Sequence, residues 1–212
     1  MDDRALERLD WGLVDYGQAL EAMRRRHALR LAGAAADALI CLEHPPVLTQ
    51  GRHGQAGNVL WGADELARRG LALHQVERGG DVTYHGPGQA VVYLVLGLAG
   101  RGLGVRALVD LAQGAILETA GHFGVRAEVD PARPGAWVGG RKLASIGLAV
   151  RQGVSLHGLA LNVNTRLEDF RAIRACGLEA QPTSLARELG RPLGMSGVFD
   201  RLYAALSKRL AV

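Results

Sequence analysis

The sequence predicts an α+β fold, a mixed sheet flanked by helices. Three observations point there. Strand-like runs alternate with helical runs, and two neighbouring runs join as a hairpin around Gln152-Gly153. In addition, 48% of the 212 residues are hydrophobic, enough for a sizeable core. No repeat, low-complexity tract or long linker divides the chain, so residues 1–212 are expected to form a single domain.

The elements follow in order. Residues 15–32 read as a helix capped by Asp15, with Tyr16, Leu20, Met23, His27 and Leu31 on one stripe. Asp37–Leu42 reads as a buried strand, ended by His44-Pro45-Pro46 because proline cannot donate to a ladder. Ala63–Arg69 is a short helix and Leu71–Glu77 an alternating strand. Ala90–Leu98 is a strongly apolar strand. Val105–Phe123 is the longest helical pattern, with Leu108, Leu111, Ala115 and Leu117 facing the core. Val125–Val129 and Ala136–Val138 are short strands, and Lys142–Arg151 and Val154–Val163 form the hairpin. Thr183–Leu189 and Met195–Leu210 close the chain as helices.

The bulk numbers restrict function. No apolar run approaches the ~18 residues of a membrane span. The start, Met1-Asp2-Asp3-Arg4, has no apolar signal core. A cytoplasmic protein is expected, with no membrane partner. The two cysteines, Cys41 and Cys176, are too few for a disulfide scaffold and lack zinc-type spacing, so no metal site is expected. The formal net charge of +4 favours acidic partners. Scattered arginines and 5% aromatics give no nucleic-acid signature. Of 25 basic residues only Lys142 and Lys208 are lysine. A lysine kept in an arginine background fits a need for an amine that can lose its proton, although chance also leaves two lysines somewhere.

Four segments carry chemistry. Arg78-Gly79-Gly80-Asp81-Val82-Thr83-Tyr84-His85-Gly86-Pro87-Gly88-Gln89 reads as a glycine-rich loop between strands, either a tight turn or a place where ligand meets main chain. It is neither a P-loop nor a dinucleotide fingerprint. Gly139-Gly140-Arg141-Lys142-Leu143-Ala144-Ser145-Ile146-Gly147 puts a lysine at a strand start beside glycines, a place that taken alone suits a solvated lysine at a turn. Ser155-Leu156-His157-Gly158-Leu159-Ala160-Leu161-Asn162-Val163-Asn164 places small residues in an apolar strand interrupted by a histidine and two asparagines, leaving room beside the sheet; His157 alone fits a hydrogen-bonded core histidine. Ala175-Cys176-Gly177-Leu178 follows an arginine-bearing stretch, surroundings that suit a reactive thiol, although a packed structural thiol fits as well; Cys41 reads as core.

Together these segments resemble the lipoyl(octanoyl) transferase family. The resemblance spans most of the chain: Glu43-His44-Pro45-Pro46 with Gly51-Arg52, Arg78–Gln89, Gly140–Gly147, His157–Val163, and Cys176-Gly177 with Thr183-Ser184-Leu185. It implies the catalytic fold shared by biotin and lipoate protein ligases. It also implies transfer of octanoyl from acyl carrier protein to a lysine of lipoyl domains, the first step of endogenous lipoylation. The acceptors implied are 2-oxoacid dehydrogenase E2 subunits and the glycine cleavage H protein. By this resemblance Cys176 matches the acyl-thioester nucleophile and Lys142 the lysine that lowers its pKa. Arg78, Gly79, Gly80, Asp81, Val82, Thr83, Tyr84, His85, Ser145, Ile146, Gly147, Gly158, Leu159 and Ala160 match the substrate-binding stretches. No cofactor is implied, and a monomer is expected. Ala175 stands where the family often has proline, and Glu179–Pro182 is less typical. Two other readings predict different behaviour: an ATP-dependent ligase of the same fold would need nucleotide, and a non-catalytic module binding lipoyl domains or carrier protein would show no turnover.

Overall fold

The structure is a computed structural model that describes residues 5–131, 133–174 and 181–211, with the backbone alone at Ala56. Cys176 lies outside the described residues.

The chain opens with strand β1 (Leu6–Leu13), then helix α1 (Tyr16–Leu31), in which Asp15 accepts the Gln18 N–H as N-cap. Strands β2 (Asp37–Glu43) and β3 (Val47–Gln50) flank the double proline. Helix α2 (Ala63–Arg68), β4 (Ala72–Gln75), β5 (Val82–His85) and β6 (Gln89–Val95) follow. After α3 (Val105–His122) come β7 (Glu128–Asp130), β8 (Arg133–Val138), β9 (Arg141–Arg151) and β10 (Val154–Asn162). Helices α4 (Leu185–Leu189) and α5 (Met195–Leu210) end the described chain.

Among the described residues, seven strands form one sheet in the order β1-β2-β6-β10-β9-β8-β7. Only β1 and β2 run parallel in it. A small sheet, β4-β3-β5, stands apart. The large sheet separates two apolar clusters. Leu159, Leu161 and Leu143 pack with Leu108, Ile116, Leu202 and Leu206 of α3 and α5 on one face. Val91, Tyr93, Ala160 and Leu156 pack with Tyr16, Leu20 and Met23 of α1 on the other. A fold of helices on both faces of a mixed sheet is what the sequence predicts.

Several expectations need correction. The segment 78–89 is not all loop, since Val82–His85 pairs with β3. Its glycines and proline mask four alternating residues. Strands β1 and β3 escaped the pattern too: β1 is a half-exposed edge with polar residues throughout, and β3 is four residues pressed against prolines. Leu31 leaves the α1 stripe and is 38% exposed. Ala112 and Ile116 are buried in α3, where Leu111 and Leu117 are only half-buried.

Candidate active site

The two turns that bound β9 set the site's frame. Gly139 (φ +54) and Gly140 (φ +76) link β8 to β9, and Gln152 (φ +49) with Gly153 (φ +79) link β9 to β10. Both are two-residue hairpins with positive φ at each position, the geometry that matches strand twist. The first places Lys142 second in β9, beside Trp137, with its Nζ 5.4 Å from that ring's centroid. The Lys142 N–H donates to the Gln181 carbonyl, and its own carbonyl accepts the Thr183 N–H. The chain that leaves the Cys176 segment is therefore hydrogen-bonded to the Lys142 backbone.

A cavity of about 340 Å³ lies against β9 and β10. Its α1-facing floor is made of Ser145, Gly147, Gly158 and Ala160. A Cβ on Gly158 would meet the Val92 carbonyl oxygen at 2.0 Å, so only glycine lets β10 lie this close to β6. A Cβ on Gly147 would come within 2.9 Å of Arg78 Cδ. The roof is the 78–85 segment. The Gly79 N–H donates to the Leu148 carbonyl at 2.8 Å, tying that segment to the free edge of β9. Arg78 lies buried beneath, its Nη2 donating to the Thr49 carbonyl at 2.6 Å and to Thr49 Oγ1 at 2.9 Å. Ile146 and Leu159 line the cavity where it borders the α3 cluster, and Lys142 lines its rim.

The cavity gathers Lys142, Arg78, Gly79, Gly80, Asp81, Val82, Thr83, His85, Ser145, Ile146, Gly147, Gly158, Leu159 and Ala160. Tyr84 is not among its lining. Alternation in β5 turns it away, where it donates to Asp169 Oδ2 at 3.1 Å and packs edge-on to Phe170. Cys41 is core, as expected: it is 2% exposed, and burial pushes its thiol up to about 12.

A buried polar chain links roof to floor. His85 Nδ1 donates to Gln89 Oε1 at 2.7 Å, since the Gln89 amide nitrogen donates to Asn162 Oδ1 and the Tyr84 carbonyl. Asn162 in turn donates to the Thr183 carbonyl at 2.9 Å. Burial, with a smaller push from His44, lowers His85 to about 3, so the ring is neutral. His44 is likewise pushed down by burial, to about 4. Its Nδ1 donates to the Val14 carbonyl and its Nε2 accepts from the Tyr93 hydroxyl at 2.9 Å. Asp81 accepts from the Val82 and Gln55 N–H groups and from the Asn58 amide. The Asn58 carbonyl accepts the Arg174 N–H at 2.8 Å, just before the Cys176 segment.

Residue-level reading of the sequence missed Tyr16, Tyr93 and Glu77 as cavity neighbours. Tyr93 had a weak signal, as the one polar-tipped side chain in the apolar run of β6. Glu77 had none. It pairs with Arg24 at 2.8 Å and lies 3.7 Å from His157 Nε2. His157 and Arg24 hold its carboxyl far below the usual carboxylate range. Burial lowers His157 against the pull of Glu77. His157 is buried, but its Nε2 has no hydrogen-bond partner among the described residues.

Residues 15–207 match the lipoyl protein ligase A/B catalytic domain family. An octanoyltransferase of Solibacter usitatus is 47% identical over 200 residues, 94% of this chain and 89% of its own length. A crystal structure of lipoate-protein ligase A bound with ATP has a TM-score of 0.75 at 18% identity, covering 97% of this chain and 85% of that one. A biotin protein ligase from Aquifex aeolicus in complex with biotin and ATP has a TM-score of 0.58 at 11% identity, covering 97% and 70%. The structural likenesses establish the biotin/lipoate ligase-like fold, and the sequence matches go further: the chain belongs to the octanoyltransferase family within the lipoyl protein ligase A/B catalytic domains.

Proposed function

We propose that the chain is a single-domain, cytoplasmic acyltransferase that moves octanoyl from acyl carrier protein to a lipoyl-domain lysine through a thioester on Cys176. The observation that carries this reading is an apolar cavity with a floor of small residues, with an ionisable lysine at its rim. The family's activity supplies the acyl group and the direction of transfer.

The first half-reaction is thioester exchange. The Cys176 thiolate attacks the carrier-bound carbonyl, the carrier thiolate leaves and takes the proton of the Lys142 ammonium, and one thioester replaces another at nearly equal energy. The requirement is a good thiolate, since a free cysteine titrates near ~8.5. An ammonium about 4 Å away supplies up to roughly 4 kcal/mol at an effective dielectric of about 20, opposed by burial. Lys142 is the residue for that role. In the second half-reaction the acceptor amine attacks, the Cys176 sulfur leaves, and the amine's proton goes to neutral Lys142 or to the departing thiolate. Arg78 to Thr83, His85, Ser145 to Gly147 and Gly158 to Ala160 enclose the acyl chain. Tyr84 supports the roof from outside. No metal or nucleotide enters this scheme.

The test is intact-mass analysis after incubation with octanoyl-carrier protein and no ATP. A gain of one octanoyl group, absent in Cys176→Ala, is expected. A strict nucleotide requirement would instead indicate ligase chemistry. Binding of lipoyl domain or carrier protein without turnover would indicate a non-catalytic module.

A further inference from the structure

The cavity floor is built in rungs. Ser145, Ala160 and Val91 lie side by side in the first, and Gly147, Gly158 and Tyr93 in the second. Ala149 and Leu156 make the third. Successive rungs on one face are roughly 7 Å apart. On β9 and β10 the first two rungs carry nothing larger than a serine or alanine, which leaves a trough. The third rung is filled, because Ala149 and Leu156 pack in one cluster with Leu20 and Met23 of α1. From the Ser145–Ala160 rung to His157, three residues along β10, the trough therefore runs roughly 10 Å, with Arg78 Cδ closing over Gly147 on the β9 side. An extended eight-carbon acyl chain, with C–C bonds of roughly 1.5 Å, spans about 9 Å.

His157 stands where the trough ends. Strand alternation should send it to the α3 face, with its pair Leu148 and its neighbour Leu159. Instead its backbone adopts φ +60 inside the strand. Its N–H leaves the ladder and donates to the Met23 sulfur at 3.2 Å. Its ring stands edge-on to Tyr93, 6.3 Å between centroids, and faces Glu77. A left-handed residue with a side chain is strained and persists only where its surroundings over-determine it. Glu77 and Leu156 behind it line a separate cavity with Arg24 and His27. His157 and Glu77 thus form the partition between the two spaces.

We infer that His157, backed by Glu77 and Met23, is the end-stop that limits the accepted acyl chain to about eight carbons. The inference rests on the proposed acyl-transfer reading for the identity of the ligand. It extends that reading by naming the residue that measures length. A smooth apolar wall discriminates poorly between chains that differ by one methylene, whereas a rigid stop penalises each carbon beyond it.

His157→Gly is the informative substitution, since glycine takes φ +60 without strain and only the imidazole is lost. Binding of free hexanoate, octanoate, decanoate and dodecanoate to the full chain is measured by titration calorimetry, with the carboxylate standing in for the thioester carbonyl. Octanoyl transfer from carrier protein is assayed in parallel. In the parent, affinity is expected to rise about fourfold per methylene from hexanoate to octanoate. It then falls at least tenfold at decanoate, as overpacking against the stop sets in. In His157→Gly the fall moves beyond decanoate. A parent whose affinity keeps rising through dodecanoate overturns the end-stop whether or not the variant folds. So does a variant with the parent's cutoff, or a parent that binds none of these acids. If the cutoff moves while the parent transfers no octanoyl group, the end-stop stands and the acyl-transfer reading fails.

Discussion

Buried histidines make the site's acid sensitivity a property of single residues. His85 and His44 are pushed down to about 3 and about 4, from an ordinary 6.5. Between those limits the unfolded chain binds more protons than the folded one. The stability they allow is complete above pH 6.5 and is lost as pH falls towards 4. At pH 5 each costs about 2 kcal/mol relative to pH 7. Urea unfolding at the two pH values is expected to show that drop, and equal midpoints would refute it. Glu77 adds loss at lower pH: its carboxyl is held ionised in the fold, so its contribution disappears only below the ordinary carboxylate range. Gly158 offers a second test. Its Cβ would strike the Val92 carbonyl oxygen, so Gly158→Ala is expected to cost about 1–3 kcal/mol in chemical denaturation.

At the scale of elements, the hairpin before β9 matters because it fixes where Lys142 starts its strand. Gly139 and Gly140 both hold positive φ. Gly140→Val is therefore expected to cost about 1–2 kcal/mol by thermal unfolding, with no space conflict to blame. This turn, the Gln152-Gly153 turn and the long helices α3 and α5 were legible in the sequence, because local chemistry alone selects them. The small sheet was not. The glycines around Val82–His85 imitate a loop, and Val47–Gln50 is too short to show a period; each is a strand only because the other lies beside it. The cavity's small-residue floor was legible at Gly158 and Ala160. Its end was not, since nothing local says that His157 leaves the alternation of its own strand. That depends on Met23 and Glu77, 134 and 80 positions away in the sequence.

Across the whole molecule, one buried carboxylate joins distant parts. Asp37 at the start of β2 accepts from Arg30 of α1, from Arg101 and from the Gly97 N–H, while Arg101 also donates to the Leu210 carbonyl at the end of α5. Asp37→Ala leaves two largely buried guanidinium groups without that partner and is expected to cost about 3–5 kcal/mol in urea unfolding. The net charge of +4 predicts that docking of an acidic carrier protein weakens with salt. An apparent affinity unchanged between low and high ionic strength would refute arginine-mediated docking. The sheet divides the two apolar clusters, with α5 behind it, while Val105 and Val109 of α3 reach the cavity and line it. The protein can therefore be hardened at α5 but not freely at α3: tighter packing of α5 against the sheet should raise its melting point while the ruler keeps its calibration, whereas bulk added at Val105 or Val109 changes the cavity itself.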